Sequence, residues 1–291
     1  CQQSWDGIAY VREFEDMSFP EAVDYFGVHR DLSDTSSNGQ SSRPRPTSAQ
    51  RSQDAEPAAP TGPRPWASYD PPGGAWRSAA RSFVEKAERR LWSDHRAAPS
   101  ALRYLRGRGF TDDTIRSARL GLHPSDTRPS RWDESSKKMW LPRGIVIPWF
   151  DAHGISNVDI RRPNGDVDPN GSKWEKMKYK QAPGPSSPLY GAADVQKDLP
   201  VVLVEGEFDA LAVQQEAGDL CNAVATGSTG GAHRNEWFKL LSAVPAVLVS
   251  FDTEAAGNSA SEPWMQRLPN AIRWAPHAND AADMLAEGRN V

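Results

Sequence analysis

The stretch VVLVEGEFDALAVQQEAG, residues 201–218, decides the fold. Four consecutive apolar residues without alternation make a strand buried on both faces, and the Glu-Gly pair after them turns the chain into a helix-forming run. The unit recurs downstream. NAVAT (222–226) precedes a helical stretch containing Trp237, Phe238, Lys239, Leu240 and Leu241. AVLVSFD (246–252) precedes another acidic turn, with Gly257 opening the next helix. Apolar strands alternating with helices predict an α/β fold whose sheet is mainly parallel and covered on both faces.

In such a sheet the functional groups gather at the carboxyl ends of the strands, where loops and helix amino termini converge. The acids stand there. Glu205 ends the first strand and Asp209 follows one helical turn later; Asp252 and Glu254 end the third strand; Asp280 and Asp283 follow Pro276-His277. Three acidic clusters on one sheet edge repel each other unless cations lie between them, and hard oxygen ligands favour Mg²⁺ or Mn²⁺. The expected chemistry is metal-assisted phosphoryl transfer. The loop TGSTGG (226–231) could approach a phosphate through backbone N–H groups, but it lacks the lysine of a Walker motif, so an ATPase is not inferred.

Working outward, residues 145–190 read as short extended segments, with GIVIPWFD (144–151) and ISNVDIRR (155–162) forming a hairpin about His153-Gly154. Residues 76–121 have helical spacing, broken at Gly107 and Gly109. Residues 31–75 are rich in Ser, Pro, Gly and Arg, cannot bury enough apolar surface to offset chain entropy, and predict a flexible linker. Residues 6–27 read as one more helical piece. No apolar run approaches the roughly 20 residues that span a bilayer, so a cytoplasmic protein with no membrane partner is expected. The charge is divided: residues 76–131 carry twelve Arg and one Lys against six acids, net +7, whereas 199–291 carry five basic residues against twelve acids, net −7. That division suits a protein holding a polyanion with one part and metal cations with the other.

These residues carry a family resemblance. VVLVEGEFDALAV, ATGSTGG, VLVSFDTEAAGNSA and WAPHANDAADML resemble the successive motifs of a Toprim domain of the primase kind. YLRGRGFTDDTIRSARLGLHP (104–124) looks like the helical entry to a primase polymerase domain, and GIVIPWFDAHGISNVDIRR with KYKQAPGPSSPLYGA (178–192) like its small mixed subdomain. CQQSWDGIAYVREFEDMSFPEAVDYF matches the end of a Cys-His-Cys-Cys zinc ribbon, with Cys1 as its last ligand and the others upstream.

The resemblance implies a DnaG-type bacterial or phage primase, a nucleotidyltransferase making short RNA primers from nucleoside triphosphates on a single-stranded DNA template. By it, Glu205, Asp209 and Asp252 are the catalytic set, with Glu205 as acid or base, while Asp252, Glu254 and Asp280 join Glu205 in holding Mg²⁺ or Mn²⁺ and Asp209 supports them. Zn²⁺ belongs to the full-length protein through Cys1. Arg161, Arg162, Lys178 and Lys180 form a basic face for nucleotide phosphates or template. The implied division is a ribbon remnant at 1–30, the linker at 31–75, a helical then mixed core subdomain at 76–198, and the Toprim domain at 199–291. A replicative helicase is a candidate partner. The chain departs from the family in having Asp252-Thr-Glu254 for Asp-x-Asp, and Ala282 where a further acid is usual. These departures motivate the alternative of a nucleic-acid-binding accessory protein with a degenerate Toprim site; a Toprim nuclease is a further alternative, disfavoured by the primase-like upstream segments.

Overall fold

Helical spacing puts Trp76, Ala80, Val84, Ala87 and Leu91 on one stripe of α1 (Gly74–Leu91), and all five are buried. The computed structural model describes residues 67–133, 135–184, 188–228 and 231–288. The expected ribbon remnant at 1–30, Cys1 included, and the linker up to residue 66 lie outside the described residues. The end of that linker is structured. Tyr69 N donates to Glu236 Oε2 at 2.7 Å, its ring packs 4.9 Å from that of Trp237, and α1 begins at Gly74. One half-buried aromatic contact and one hydrogen bond tie down a stretch whose composition alone suggests a coil.

After α1 come α2 (Ala98–Gly107) and α3 (Asp112–Ser117), the latter capped by Thr111, whose hydroxyl accepts from Thr114 N at 3.1 Å. An antiparallel meander follows: β1 (Gly121–His123), β2 (Gly144–Asp151), β3 (Gly154–Arg161) and β4 (Tyr179–Gln181), in that spatial order, with the short α4 (Lys173–Lys176) between β3 and β4. The predicted hairpin is present, its register running from Ile145↔Arg161 to Asp151↔Gly154. Val146, Val158 and Ile160 pack on α1 and its neighbours, while Ile145, Ile147 and Trp149 enter a second core.

That second core is shared with the other sheet, formed by β5 (Val201–Val204), β6 (Asn222–Ala225), β7 (Val247–Val249) and β8 (Ala271–Arg273). The helices between and after these strands are α5 (Glu207–Ala217), α6 (Asn235–Ser242), α7 (Ala255–Arg267) and α8 (Ala281–Ala286). The strands are all parallel in the order β6-β5-β7-β8, as the apolar runs predicted, with β8 added at the edge. The chain winds one way from β5 to β6, then crosses back over β5 to β7. The carboxyl ends of β5 and β7 therefore flank the topological switch point, where open α/β sheets form their crevice. No described helix is long and apolar enough to cross a membrane.

Candidate active site

Glu205 leaves β5 and Asp252 follows β7, so the switch point carries one carboxylate from each side. They line a crevice of about 190 Å³ with Asp209, Asp280, Arg108, Arg161 and Lys178. Two glycines let the backbone come this close. A Cβ on Gly206 would lie 2.7 Å from Asp209 Oδ2, and one on Gly257 would lie 2.2 Å from the carbonyl oxygen of Asp252. Glu205 Oε1 is buried with no hydrogen-bond partner among the described residues. Burial first, and then the charge of Asp252, push the Glu205 carboxyl up to about 7. Burial and the charges of Asp280, Glu254 and Asp283 raise Asp252 as well. The basic residues on the same lining thus only partly offset the mutual repulsion of Glu205 and Asp252.

The acids differ in what they do locally. Asp209 accepts from Gly206 N at 3.2 Å and from Ala282 N at 3.0 Å, joining the amino termini of α5 and α8. Its pKa is raised by burial and then by Asp280. Asp280 caps α8, accepting from Asp283 N at 2.6 Å. Glu254 lies exposed at the rim, outside the lining of the crevice, and reaches the site through its field on Asp252. Arg273 holds the strand end carrying Asp252, donating to the carbonyls of Val249 at 2.9 Å, Phe251 at 2.9 Å and Asp252 at 3.1 Å.

The four expected basic residues separate into two kinds. Arg161 and Lys178 line the crevice. The Arg161 guanidinium sits 4.8 Å from the Tyr104 ring and 5.6 Å from that of Phe208, its Nε without a protein partner among the described residues. Arg162 points elsewhere: it donates to the carbonyls of Trp174 at 3.0 Å and Met177 at 2.8 Å, and to that of Asp166. Its hydrogen-bonding capacity is spent on the β3–β4 loop. Lys180 is half-buried beside Asp159 and outside the crevice lining.

Two features escaped the sequence reading. Arg108, in the Arg-Gly-Arg-Gly run after α2, reaches the crevice and pairs with Asp283 at 3.2 Å. Glu207, 3% exposed on α5, shares a hydrogen bond with Asp159, 7% exposed on β3. Two buried carboxyls that bond must hold a proton between them. Burial is the main cause of both shifts, and it pushes Asp159 up to about 6. The third residue of Glu-Gly-Glu-Phe-Asp was the only available signal for Glu207, since β3 offers no hint of its partner across the sheets.

The donor set of the crevice suits a hard divalent cation, which would relieve the repulsion that raises Glu205 and Asp252. Among the described residues no three His, Cys, Asp or Glu side chains stand converged as a ligand group.

Residues 202–285 match a family model described as Toprim-like. The DNA primase of Pseudomonas aeruginosa is 26% identical over 296 residues, covering 90% of this chain and 39% of the relative. That of Pseudomonas putida is 26% identical over 292 residues with the same coverage. The chain thus spans 39% of the length of the curated relatives it matches. Among solved structures, a DNA primase domain from Pseudomonas aeruginosa is similar with a TM-score of 0.57 at 23% identity, covering 73% of this chain and 74% of that one. The RNA polymerase domain of Mycobacterium tuberculosis primase in complex with double-stranded DNA gives 0.57 at 20% identity, covering 74% and 77%. A DnaG primase catalytic domain bound to single-stranded DNA gives 0.54 at 18% identity, covering 73% and 74%. The parallel sheet with its acid-lined crevice is the part of the chain that the Toprim-like model matches. Joined through one shared core to the antiparallel meander, it gives this chain the fold of a DnaG-type primase catalytic core.

Proposed function

We propose that this chain synthesises RNA primers, joining nucleoside triphosphates on a single-stranded DNA template. The observation that carries the reading is Glu205: a buried carboxylate oxygen without a partner, with its pKa near 7, set against Asp252 at the switch point and facing Arg108, Arg161 and Lys178. A carboxylate oxygen so placed can take a proton from an attacking hydroxyl, and a cation held beside it would draw its pKa back down. Arg161 and Lys178 would hold triphosphate oxygens, and Arg108, steadied by Asp283, would set the edge of that cradle. Asp209 and Arg273 keep the two carboxylate-bearing turns in register.

Glu205, Asp252 and Asp280 would hold Mg²⁺ or Mn²⁺, with Glu254 moving in from the rim to complete the set. Such an ion supplies Lewis-acid stabilisation of the charge developing in nucleotidyl transfer. Zn²⁺ at Cys1 belongs to this reading of the longer protein, as do the template strand, the primer, a replicative helicase and a cytoplasmic setting.

A primer-synthesis assay on single-stranded DNA, with Mg²⁺ or Mn²⁺ and all four ribonucleoside triphosphates, tests the reading. Primers are expected from the wild type, and a loss of about 10²-fold or more from Glu205→Gln. Primer yield unchanged by Glu205→Gln would sink the mechanism. Absence of both primers and divalent-ion binding would favour the degenerate-site alternative, which the outlying Glu254 motivates.

A further inference from the structure

The β3–β4 loop exposes one large aromatic side chain on an unusually well-fastened backbone. Trp174 is 56% exposed. Its peptide carbonyl accepts from Arg162, which also holds the carbonyls of Glu175 and Met177. Glu175 closes α4 from within, accepting from Ser172 N at 2.7 Å. Trp140 stands edge-on to Trp174, with centroids 6.2 Å apart and an interplanar angle of 86°, and is anchored by its Nε1 on Asp126 at 3.0 Å. Leaving an indole in water forgoes the burial that normally fixes Trp, yet here a buried guanidinium fixes the backbone that presents it.

Four lysines, Lys173, Lys176, Lys178 and Lys180, flank this indole within six residues of it in the sequence. Lys180 Nζ lies 6.0 Å from the Trp174 centroid, and Lys173, Lys176 and Lys178 are exposed with no ion pair among the described residues. Of the neighbouring acids Asp166 is paired with Arg143 at 2.5 Å, while Asp126, Asp168 and Glu175 accept from neutral N–H groups and keep their charge. Lys178 lines the acidic crevice, and Lys180, two residues further on in β4, stands beside Trp174, so basic side chains run from the crevice towards the indole. An exposed, pre-positioned aromatic ring flanked by the exposed Lys173 and Lys176 fits unpaired bases with their phosphates, which stack on a ring without regard to sequence.

We propose that Trp174, with Trp140 behind it and Lys173, Lys176 and Lys180 around it, is a stacking platform for an unpaired base of single-stranded nucleic acid next to the crevice. It rests on the reading above that the chain handles a template strand, but it is tested without catalysis. The whole chain is titrated, without nucleotides or divalent ions, into a fluorescein-labelled oligothymidylate of about twelve nucleotides and anisotropy is followed. Stacking worth about 1–3 kcal/mol per base predicts that Trp174→Ala weakens binding about 5- to 150-fold. Trp174→Phe should stay within a few-fold of wild type, and Leu220→Ala, which removes an exposed apolar side chain from the turn before β6, should leave it unchanged. An oligonucleotide carrying 5-iododeoxyuridine should cross-link to Trp174 on irradiation. Trp174→Ala binding as the wild type does, or no binding by either protein, overturns the platform. A wild type that binds through Trp174 and makes no primers overturns the primase reading alone.

Discussion

The acidic crevice and the β3–β4 loop both concentrate charge, and they treat it in opposite ways. In the crevice Glu205 keeps a buried oxygen without a partner, and Asp252 is raised by its neighbours. In the loop Arg162 is buried too, but its donors end on backbone carbonyls. Uncompensated charge stores free energy that a ligand can release; compensated charge holds a backbone in place. Consecutive arginines show the divide, since Arg161 faces the crevice with an unpartnered nitrogen while Arg162 fastens the loop. Residue type alone does not distinguish a reactive charge from a structural one.

The largest test of that contrast is on the crevice side. Glu205→Gln should reduce primer synthesis by about 10²- to 10⁴-fold, the range for losing a general acid or base. In the presence of chelator at pH 8 it should melt no lower than the wild type, because the substitution removes a repelling charge. A variant that is both inactive and markedly less stable would place Glu205 among the scaffolding residues.

Next comes Arg162→Ala, which should cost stability before it costs chemistry. Removing a buried cation leaves several carbonyls without donors, worth about 3 kcal/mol or more. In a unit of this size that corresponds to roughly 6–12 °C in Tm. Arg161→Ala should lower Tm less and raise the KM for nucleoside triphosphates roughly tenfold, an estimate from the strength of a charge-assisted hydrogen bond. Equal effects of the two substitutions on Tm and on KM would erase the distinction.

Much of this arrangement was legible in the residues. Unbroken apolar runs before Glu205 and Asp252 revealed a parallel sheet, and strand-end positions brought Glu205, Asp252 and Asp280 to one crevice. Periodicity could not show where Arg162 points, because partners of a long side chain depend on a loop folding back over it. Glu254 failed to join the crevice lining for a similar reason: it occupies the N-cap position of α7 with its side chain exposed at the rim. The edge strand β8 escaped notice because it is three residues long and only partly buried. The ordered end of the linker depended on Tyr69 meeting Trp237, a contact 168 residues away in sequence that composition does not encode.

The Asp159 and Glu207 pair sharpens the comparison from inside the shared core, because it is buried like Arg162 and acidic like the crevice. Burial raises both carboxyls above their ordinary values, so the folded protein binds protons that the unfolded chain releases. The stability this gives is complete below about pH 4, where both states are protonated, and is lost as pH rises through about 6. Glu207→Gln keeps the hydrogen bond without the second charge. Its Tm should therefore fall less than that of the wild type between pH 5 and pH 8, by a few degrees. Parallel pH profiles for the two proteins would mean that the pair carries no strain.

The smallest effect should come from Asp283, which stands between the two regimes. It pairs with Arg108 at 3.2 Å, yet the two side chains remain 25% and 40% exposed for Arg and Asp respectively. An ion pair that open to water contributes little, so Asp283→Asn should change the unfolding free energy by less than about 1 kcal/mol in urea. Its influence lies in the crevice, where Asp283 helps to raise Asp252 and offsets part of the charge of Arg108. Removing it lowers the Asp252 pKa, so the pH midpoint for Mn²⁺ binding, read by calorimetry across a pH series, should move downward. A large loss of stability with no movement of that midpoint would instead assign Asp283 to the compensated framework, alongside Arg162.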